Sequence, residues 1–281
     1  MKASAKRSEL VQEYLRVLGV EAAERDFAAV GQLVARHVAT FAFSSVGCRL
    51  GDDLPLDLES LFDRIVVRRR GGYCFEQNGL FFEVLDELGF SPELYLARVI
   101  LNQDSHPGLT HRISIVEHEG QRYVLDVGFG AQGPRVPVLL SEGETPDGDR
   151  VFRVAEPRPG ELHMQVLKDG AFFSLYRFEL SRYGQSDCEL GHFYSHKHPE
   201  AAFVTNLVAS RILADEVRSL RNLEYWVLGP NGDHITSIEG PDQLTRLLAD
   251  ELGVRVSAAE GSQLFDGLLA DRASRLDEAR P

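Results

Sequence analysis

A cysteine lies directly after two glycines, and at the start of an apolar helical pattern, in the segment RRRGGYCFEQNGLFFEVLDELGF, Arg68 to Phe90. Gly71 and Gly72 permit a tight turn, and the apolar residues after Cys74 recur at helical spacing, which predicts a helix that begins at Cys74. Unpaired N–H groups and the helix dipole at such a position favour an anion and lower the pKa of a thiol. The pattern therefore indicates a reactive thiolate, unless Cys74 is a buried structural cysteine, which is the more common fate of a free thiol.

A histidine and an aspartate lie on two neighbouring β-rich runs. His111 begins the run HRISIVEH, Asp126 lies in RYVLDV, and Glu119 with Gly120 between the runs is a hairpin signal. A turn of two or four residues makes His111 a diagonal neighbour of Asp126, whereas a register shifted by two residues places them directly opposite. Both registers put the two side chains on one face, and a three-residue loop or a bulge would send them to opposite faces.

A cysteine, a histidine and an aspartate together can divide the work of acyl transfer. Cys74 would be the nucleophile, His111 the base and then the acid, and Asp126 would fix the imidazole tautomer and stabilise its charged form. Taken singly, His111 is more typical of a half-buried strand histidine, and Asp126 of a turn residue before Gly128. Their combination with Cys74 favours catalysis. The same residue types also serve hydrolases, from which acyl transfer differs by the exclusion of water.

The elements that must hold these residues fall into three regions along the chain. Apolar residues at helical spacing dominate residues 1–90, short β-rich runs between Gly, Pro and Asp turns fill 91–200, and helix and hairpin patterns mix in 201–281. This order predicts an α+β protein with a helical domain that carries the nucleophile, an antiparallel sheet or small barrel that carries the histidine and aspartate, and a C-terminal α/β region.

Three local features are also predicted. Asp57 is the expected cap of a helix that precedes the arginines. The segment NLVASRILA, residues 206–214, is predicted to be helical, and the polar segment SEGETPDGDR, residues 141–150, is predicted to be a surface loop.

Composition and charge exclude several classes of function. The formal net charge of −13 opposes broad contact with a phosphate backbone, so nucleic acid is not expected as a partner. No uncharged apolar run approaches the roughly 18 residues of a membrane helix, and no apolar block typical of a secretory signal is present. Three widely spaced cysteines suit reduced thiols, which predicts a cytoplasmic protein. Arginine-rich usage, with 4 lysines among 30 basic residues, is typical of a high-GC bacterial gene.

The motifs RRRGGYCFEQN, LTHRISIV and YVLDVGFG together resemble those of the arylamine N-acetyltransferases in order and approximate spacing. The resemblance assigns the nucleophile, the histidine and the aspartate of that family to Cys74, His111 and Asp126. It implies a helical bundle, a β-barrel and an α/β lid around a cysteine-protease-like catalytic core. It also implies that an acetyl group passes from acetyl-coenzyme A to an arylamine, arylhydroxylamine or hydrazine by a ping-pong route through a cysteine thioester, without a metal.

The resemblance extends to the substrate pocket, and it also has departures. The substrate contacts that it implies are Phe43, Tyr73, Thr110, Gly128, Phe129 and Gly130. Where the family has a PFENL-like segment, this chain reads FAFSSV, so Ser44 and Ser45 replace an acid and an amide. In the family that acid pairs with the arginine of RGGYC. Another carboxylate, or solvent, must therefore satisfy Arg70 here.

Two alternative functions and the oligomeric state are left open. Relatives of the same family act as amide synthases that take an acyl chain from a carrier protein, and the sequence does not separate these donors. A zinc-binding interaction module without enzymatic activity is the other alternative, because the run CELGHFYSHKH gathers four potential ligands, three of them at i, i+4 and i+8. These are Cys188, His192, His196 and His198. Their spacing matches no common zinc finger. The sequence is compatible with a homo-oligomer.

Overall fold

The structure, a computed structural model, describes residues 2–23, 25–230 and 232–278. The outer limits predicted for the first and last regions, residues 1 and 281, lie outside the described residues. The division into domains near residues 90 and 200 stays a prediction. Buried side chains of the N-terminal helices form one cluster with Val116 and Leu125 of the following sheet, so these two regions share a hydrophobic core.

Helices dominate the N-terminal region, and their apolar faces meet in that cluster. In chain order the elements are α1 (Lys2–Leu18), α2 (Phe27–Thr40), the short strand β1 (Phe43–Ser44), α3 (Val46–Leu50), α4 (Leu58–Phe62) and α5 (Cys74–Glu87). Asp57 caps α4 as predicted, because its side chain accepts a hydrogen bond from Ser60 N at 3.0 Å. Residues Leu33, Phe81 and Leu85 are fully buried between these helices. Each such side chain contributes roughly 1.5–3 kcal/mol.

An antiparallel sheet curls into a nearly closed barrel after α5. Its strands are β2 (Glu93–Val99), β3 (His111–His118), β4 (Gln121–Leu125), β5 (Val138–Leu139), β6 (Thr145–Asp147), β7 (Arg150–Arg158), β8 (Glu161–Lys168) and β9 (Ala171–Phe178). They pair in the order β5-β4-β3-β2-β9-β8-β7-β6. The two ends of the sheet approach each other where Leu139 N donates to Thr145 Oγ1 at 3.3 Å. The predicted α+β class with a helical bundle and an antiparallel barrel is confirmed.

The hairpin between β3 and β4 has a two-residue turn, one of the alternatives that the sequence left open. Glu119 and Gly120 both have positive φ, 51° and 75°, and His118 pairs directly with Gln121. Two consecutive left-handed residues are typical of the turn that matches the twist of a hairpin. In this register His111 is the diagonal neighbour of Asp126, and the two side chains share one face.

A second antiparallel sheet forms the C-terminal region together with helices. The elements are α6 (Gln185–Lys197), α7 (Ala202–Thr205), β10 (Val208–Ile212), β11 (Val217–Arg221), β12 (Glu224–Leu228), β13 (His234–Ser237), α8 (Pro241–Arg246) and α9 (Ala258–Glu278). The strand order is β1-β10-β11-β12-β13. Phe43 of β1 pairs with Ser210 of β10, so the N-terminal region contributes one strand to this sheet.

One local prediction was wrong, and a second was correct only in part. The segment predicted to be a helix, residues 206–214, contains strand β10. A short apolar run is compatible with the period of a helix and with that of a strand, and pairing with β1 and β11 makes this run a strand. The segment 141–150 lies mostly at the surface, as predicted, but it is not entirely a loop, because it contains the short strand β6. Its Asp147 is buried and accepts from Arg135 Nε at 2.8 Å and from Arg150 Nη2 at 2.9 Å.

Among the helices that the structure describes between residues 2 and 278, none combines the length and the apolar character that a transmembrane span requires.

Candidate active site

Cys74 is the first residue of α5, as predicted. Glu76 Oε2 accepts a hydrogen bond from Tyr73 N at 3.1 Å and so caps the helix. Gly71 has a φ of 67°, and a Cβ atom there would lie 2.6 Å from Ala42 O, so the turn before the helix requires glycine. The thiol is 3% exposed and lies 3.3 Å from a backbone oxygen, Thr110 O.

His111 and Asp126 form a buried pair beside this cysteine. His111 Nε2 lies 2.8 Å from Asp126 Oδ2, and both residues are almost fully inaccessible. Because Asp126 occupies Nε2, the nitrogen left to meet the sulfur of Cys74 is Nδ1. The structure therefore brings together the three residues that the sequence analysis selected.

The pKa values of the pair are shifted towards the charged forms. Burial alone would lower the pKa of His111, but the charge and hydrogen bond of Asp126, with a further contribution from Cys74, raise it to about 10. Burial would raise the pKa of Asp126, yet His111, Asn78 and the backbone N–H of Gly128 hold it below its ordinary value. An imidazolium facing a carboxylate is therefore favoured at neutral pH.

Asn78 holds the aspartate in place, a role that the sequence analysis missed. Its Nδ2 lies 2.8 Å from Asp126 Oδ1 and 2.6 Å from Arg112 O, and its Oδ1 accepts from Val127 N at 2.9 Å. Every polar atom of the amide is thus engaged. The available signal was a polar residue four positions after Cys74, which places it on the same face of the helix.

Aromatic side chains surround a narrow cavity next to these groups. Phe43 and Phe129 line it together with Gly130 and Ser210, and Asp126 borders it. The Phe129 ring stands edge-on to the His111 ring, 5.3 Å between centroids. Outside the cavity lining, Phe203, which the sequence analysis also missed, packs on Phe43 at 5.5 Å and on Tyr73 at 5.3 Å.

The remaining predicted contacts lie close to Cys74. A Cβ atom on Gly128 would lie 2.8 Å from Cys74 Cα, so only glycine permits this approach. Thr110 presents its carbonyl oxygen to the thiol, whereas Tyr73 is fully buried and its hydroxyl lies 2.6 Å from His192 Nδ1. Substrate contact by each of the six residues stays a prediction.

Arg70 has a carboxylate partner after all, on the C-terminal helix α9. Arg70 Nη2 lies 2.9 Å from Glu260 Oε1, and Arg70 Nη1 donates to Glu260 Oε2 at 2.9 Å. Ser44 is buried and accepts from Val46 N, so it does not take the place of the missing acid. The sequence had left the choice between a carboxylate and solvent open.

The cluster considered for zinc is engaged elsewhere. Both ring nitrogens of His192 are taken, Nδ1 by Tyr73 and Nε2 by Leu54 O at 2.7 Å, and His196 Nδ1 lies 2.6 Å from His192 O. Within the residues that the structure describes, no group of three or more His, Cys, Asp or Glu is arranged to hold a metal ion.

A buried cysteine at a helix N-terminus, beside a histidine that an aspartate orients, defines the class of hydrolases and acyltransferases that react through a thiol. Comparison with known proteins narrows this class. Residues 26–260 match the family model described as N-acetyltransferase. The arylamine N-acetyltransferase of Escherichia coli (strain K12) is 33% identical over 239 residues, which cover 83% of this chain and 84% of that protein. The chain belongs to the arylamine N-acetyltransferase family.

Other relatives and solved structures agree with this assignment. A Salmonella typhimurium protein named arylamine N-acetyltransferase / N-hydroxyarylamine O-acetyltransferase is 31% identical and covers 85% of each chain. The arylamine N-acetyltransferase structure from M. tuberculosis has a TM-score of 0.84 at 29% identity, covering 89% of this chain and 98% of that one. The Mycobacterium marinum enzyme in complex with CoA has a TM-score of 0.86 at 27% identity, covering 92% and 99%.

Proposed function

We propose that this chain transfers an acetyl group from acetyl-coenzyme A to the nitrogen of an arylamine, arylhydroxylamine or hydrazine, through a thioester on Cys74. The names of the relatives support the acetyl group and the arylamine, and the CoA complex of the Mycobacterium marinum relative supports the donor. The observation that carries the mechanism is the 2.8 Å contact between His111 Nε2 and Asp126 Oδ2 beside a cysteine that begins a helix.

In the first half-reaction Cys74 is the nucleophile. Its thiolate attacks the carbonyl carbon of the donor, a new S–C bond forms, and the bond between that carbon and the sulfur of coenzyme A breaks. The His111 imidazolium gives its proton to the departing coenzyme A thiolate. The products are acetyl-Cys74, neutral His111 and free coenzyme A.

In the second half-reaction His111 acts as the base. Acetylation of Cys74 removes its contribution to the raised pKa of His111, so the imidazole gives up its proton more readily, while Asp126 continues to supply the larger contribution. The amine nitrogen attacks the thioester carbon, His111 takes the proton from nitrogen, and the Cys74 thiolate leaves. Aryl amines suit this step because they are weak bases and stay neutral at about pH 7.

Burial of the site favours transfer over hydrolysis. Cys74, His111 and Asp126 are each no more than 3% exposed. A thioester in such surroundings is shielded from bulk water. A carrier-bound acyl chain, the alternative donor, has no support from the relatives described above.

Kinetics and mass spectrometry together test this function. With acetyl-coenzyme A and an aryl amine, initial rates at several fixed donor concentrations should give the parallel double-reciprocal lines of a ping-pong mechanism. The intact protein given donor alone should gain the mass of one acetyl group, and should lose it when the amine is added. Intersecting lines, with no adduct, would show direct transfer instead. A carrier-bound acyl chain in place of acetyl-coenzyme A tests the amide synthase.

A further inference from the structure

The turn that precedes the nucleophile is tied to the C-terminal region through two neighbouring arginines. Arg70 lies four residues before Cys74, is largely buried, and binds both carboxylate oxygens of Glu260. Its Nη1 also donates to Arg255 O at 3.1 Å, and Arg255 N donates to Arg69 O at 2.8 Å. One ion pair and two hydrogen bonds to backbone groups therefore connect this turn to residues about 185 positions later in the chain.

A chain of charges continues from Arg70 to the N-terminus of α5. Asp52 Oδ2 lies 3.5 Å from Arg70 Nη2 and 3.5 Å from Arg64 Nη1. Arg64 Nε lies 3.2 Å from Glu76 Oε1, and Glu76 Oε2 accepts from Tyr73 N, the cap of α5. Each guanidinium in this chain therefore depends on carboxylates on both sides. If Arg70 lost its main partner, it would compete with Arg64 for Asp52.

We propose that Glu260 is a positioning residue for the nucleophile, because its carboxylate fixes Arg70 and thereby the turn from which Cys74 reacts. Ser44 and Ser45 of the adjacent segment carry only hydroxyl groups. If Glu260 were neutral, Arg70 would keep only the more distant of its two carboxylate neighbours, Asp52, which lies 3.5 Å away and is shared with Arg64. The largely buried guanidinium would then move towards Asp52 and away from its present place. Small displacements of a nucleophile lower rates strongly.

A purely local role for Glu260 must be separated from this one. Glu260 Oε2 accepts from Ser257 N at 2.7 Å, and Glu260 N donates to Ser257 Oγ at 3.2 Å, which is the reciprocal cap of helix α9. If Glu260 served only this cap, removal of the Ser257 hydroxyl would reproduce the effect of neutralising Glu260. A role in the helix cap alone predicts the same effect for Ser257→Ala and Glu260→Gln. A role in positioning Arg70 predicts an effect for Glu260→Gln that Ser257→Ala does not share.

The test compares Glu260→Gln with two matched controls. Ser257→Ala weakens the helix cap and leaves the Arg70 ion pair in place. Asp271→Asn removes the partner of Arg49, 2.9 Å away, an ion pair of similar exposure that joins the same helix to α3. The rate constant for alkylation of Cys74 by iodoacetamide, located by peptide mass, is measured with kcat and KM. Glu260→Gln should lower the alkylation rate and kcat about tenfold with little change in KM for the amine, and neither control should.

Alkylation needs no acetyl donor, so it reports on positioning even though the kinetic part of this inference rests on the proposed function. Slower alkylation in Glu260→Gln, in a protein that forms no acetyl adduct, would support the positioning role and contradict the function. Equal rates in Glu260→Gln and the wild type, or equal losses in Glu260→Gln and either control, would overturn the role. If Glu260→Gln does not fold, Arg70→Lys keeps the charge but loses the two-pronged contact, and should slow alkylation in the same way.

Discussion

Asn78 donates a hydrogen bond to Asp126 at 2.8 Å from a position one helical turn after Cys74. The helix that begins at Cys74 therefore also holds Asp126 in its contact with His111. One element thus helps to fix the distance between Cys74 and Asp126, although His111 lies on strand β3 and Asp126 directly follows strand β4.

The first prediction concerns Asn78 itself. Asn78→Ala leaves the backbone groups Arg112 O and Val127 N buried without their partner and removes one donor from Asp126. We expect a loss of about 1–3 kcal/mol in the free energy of unfolding and a lower kcat. Urea denaturation and steady-state kinetics measure both effects. A variant with wild-type kcat would show that Asp126 needs no support from α5.

The second prediction concerns the two neighbours of His111. Burial opposes its charged form, and Asp126 and Cys74 together raise its pKa to about 10. Asp126→Asn and Cys74→Ala should each lower this pKa, with the larger decrease in Asp126→Asn, because the aspartate supplies the larger favourable contribution. Nuclear magnetic resonance titration of the imidazole nitrogens measures the pKa directly. An unchanged pKa in both variants would contradict the contacts described here.

The third prediction concerns stability against pH. His111 binds its proton more tightly in the folded state, pKa about 10, than at its ordinary value of 6.5. The folded state therefore holds the extra proton between these values, so this stabilisation is complete below pH 6.5 and is lost as the pH rises through 10. The slope cannot exceed about 1.4 kcal/mol per pH unit.

The difference in unfolding free energy between the wild type and His111→Gln removes the contributions of titrating groups that lie away from His111, because those groups are common to both proteins. Measured by urea denaturation from pH 7 to 10, the difference should fall as the pH rises. A difference that stayed constant or grew would contradict a protonated His111.

The fourth prediction concerns Phe129. Its ring contacts the His111 ring and lines the cavity with Phe43. Phe129→Ala should raise the KM for aryl amines about fivefold, because contacts between aromatic rings contribute roughly 0.5–1.5 kcal/mol. An aliphatic hydrazine has no ring to lose, so its KM should change little and serves as the control. Equal changes for both acceptors would indicate a general distortion rather than loss of an aromatic wall.

Local patterns in the sequence predicted the parts of the site that local structure decides. Two glycines and an apolar face predicted the helix that begins at Cys74, and the pair Glu119–Gly120 predicted the hairpin that brings His111 to Asp126. Both inferences used fixed geometries, the helical turn and the alternation of side chains in a strand.

Contacts between distant residues could not be predicted in this way. Arg70 and Glu260 are 190 positions apart, and no periodicity connects them. Strand β10 was wrongly predicted to be a helix. Its strand conformation depends on pairing with β1, whose residues lie more than 160 positions away, and local sequence does not reveal that pairing. The burial of Asp147 was not predicted either, although its partners are near in sequence: it depends on how the chain packs Arg135, 12 positions before it, and Arg150, 3 positions after it, around the carboxylate.

The position of the acetyl group tests the central claim most directly. Protein incubated with acetyl-coenzyme A alone, digested at low pH and analysed by tandem mass spectrometry, should carry one acetyl group on the peptide that contains Cys74. Addition of an aryl amine before digestion should remove it and yield the acetylated amine. An acetyl group found on Cys48, Cys188 or a lysine instead, or an undiminished rate of amine acetylation by Cys74→Ala, would contradict the account.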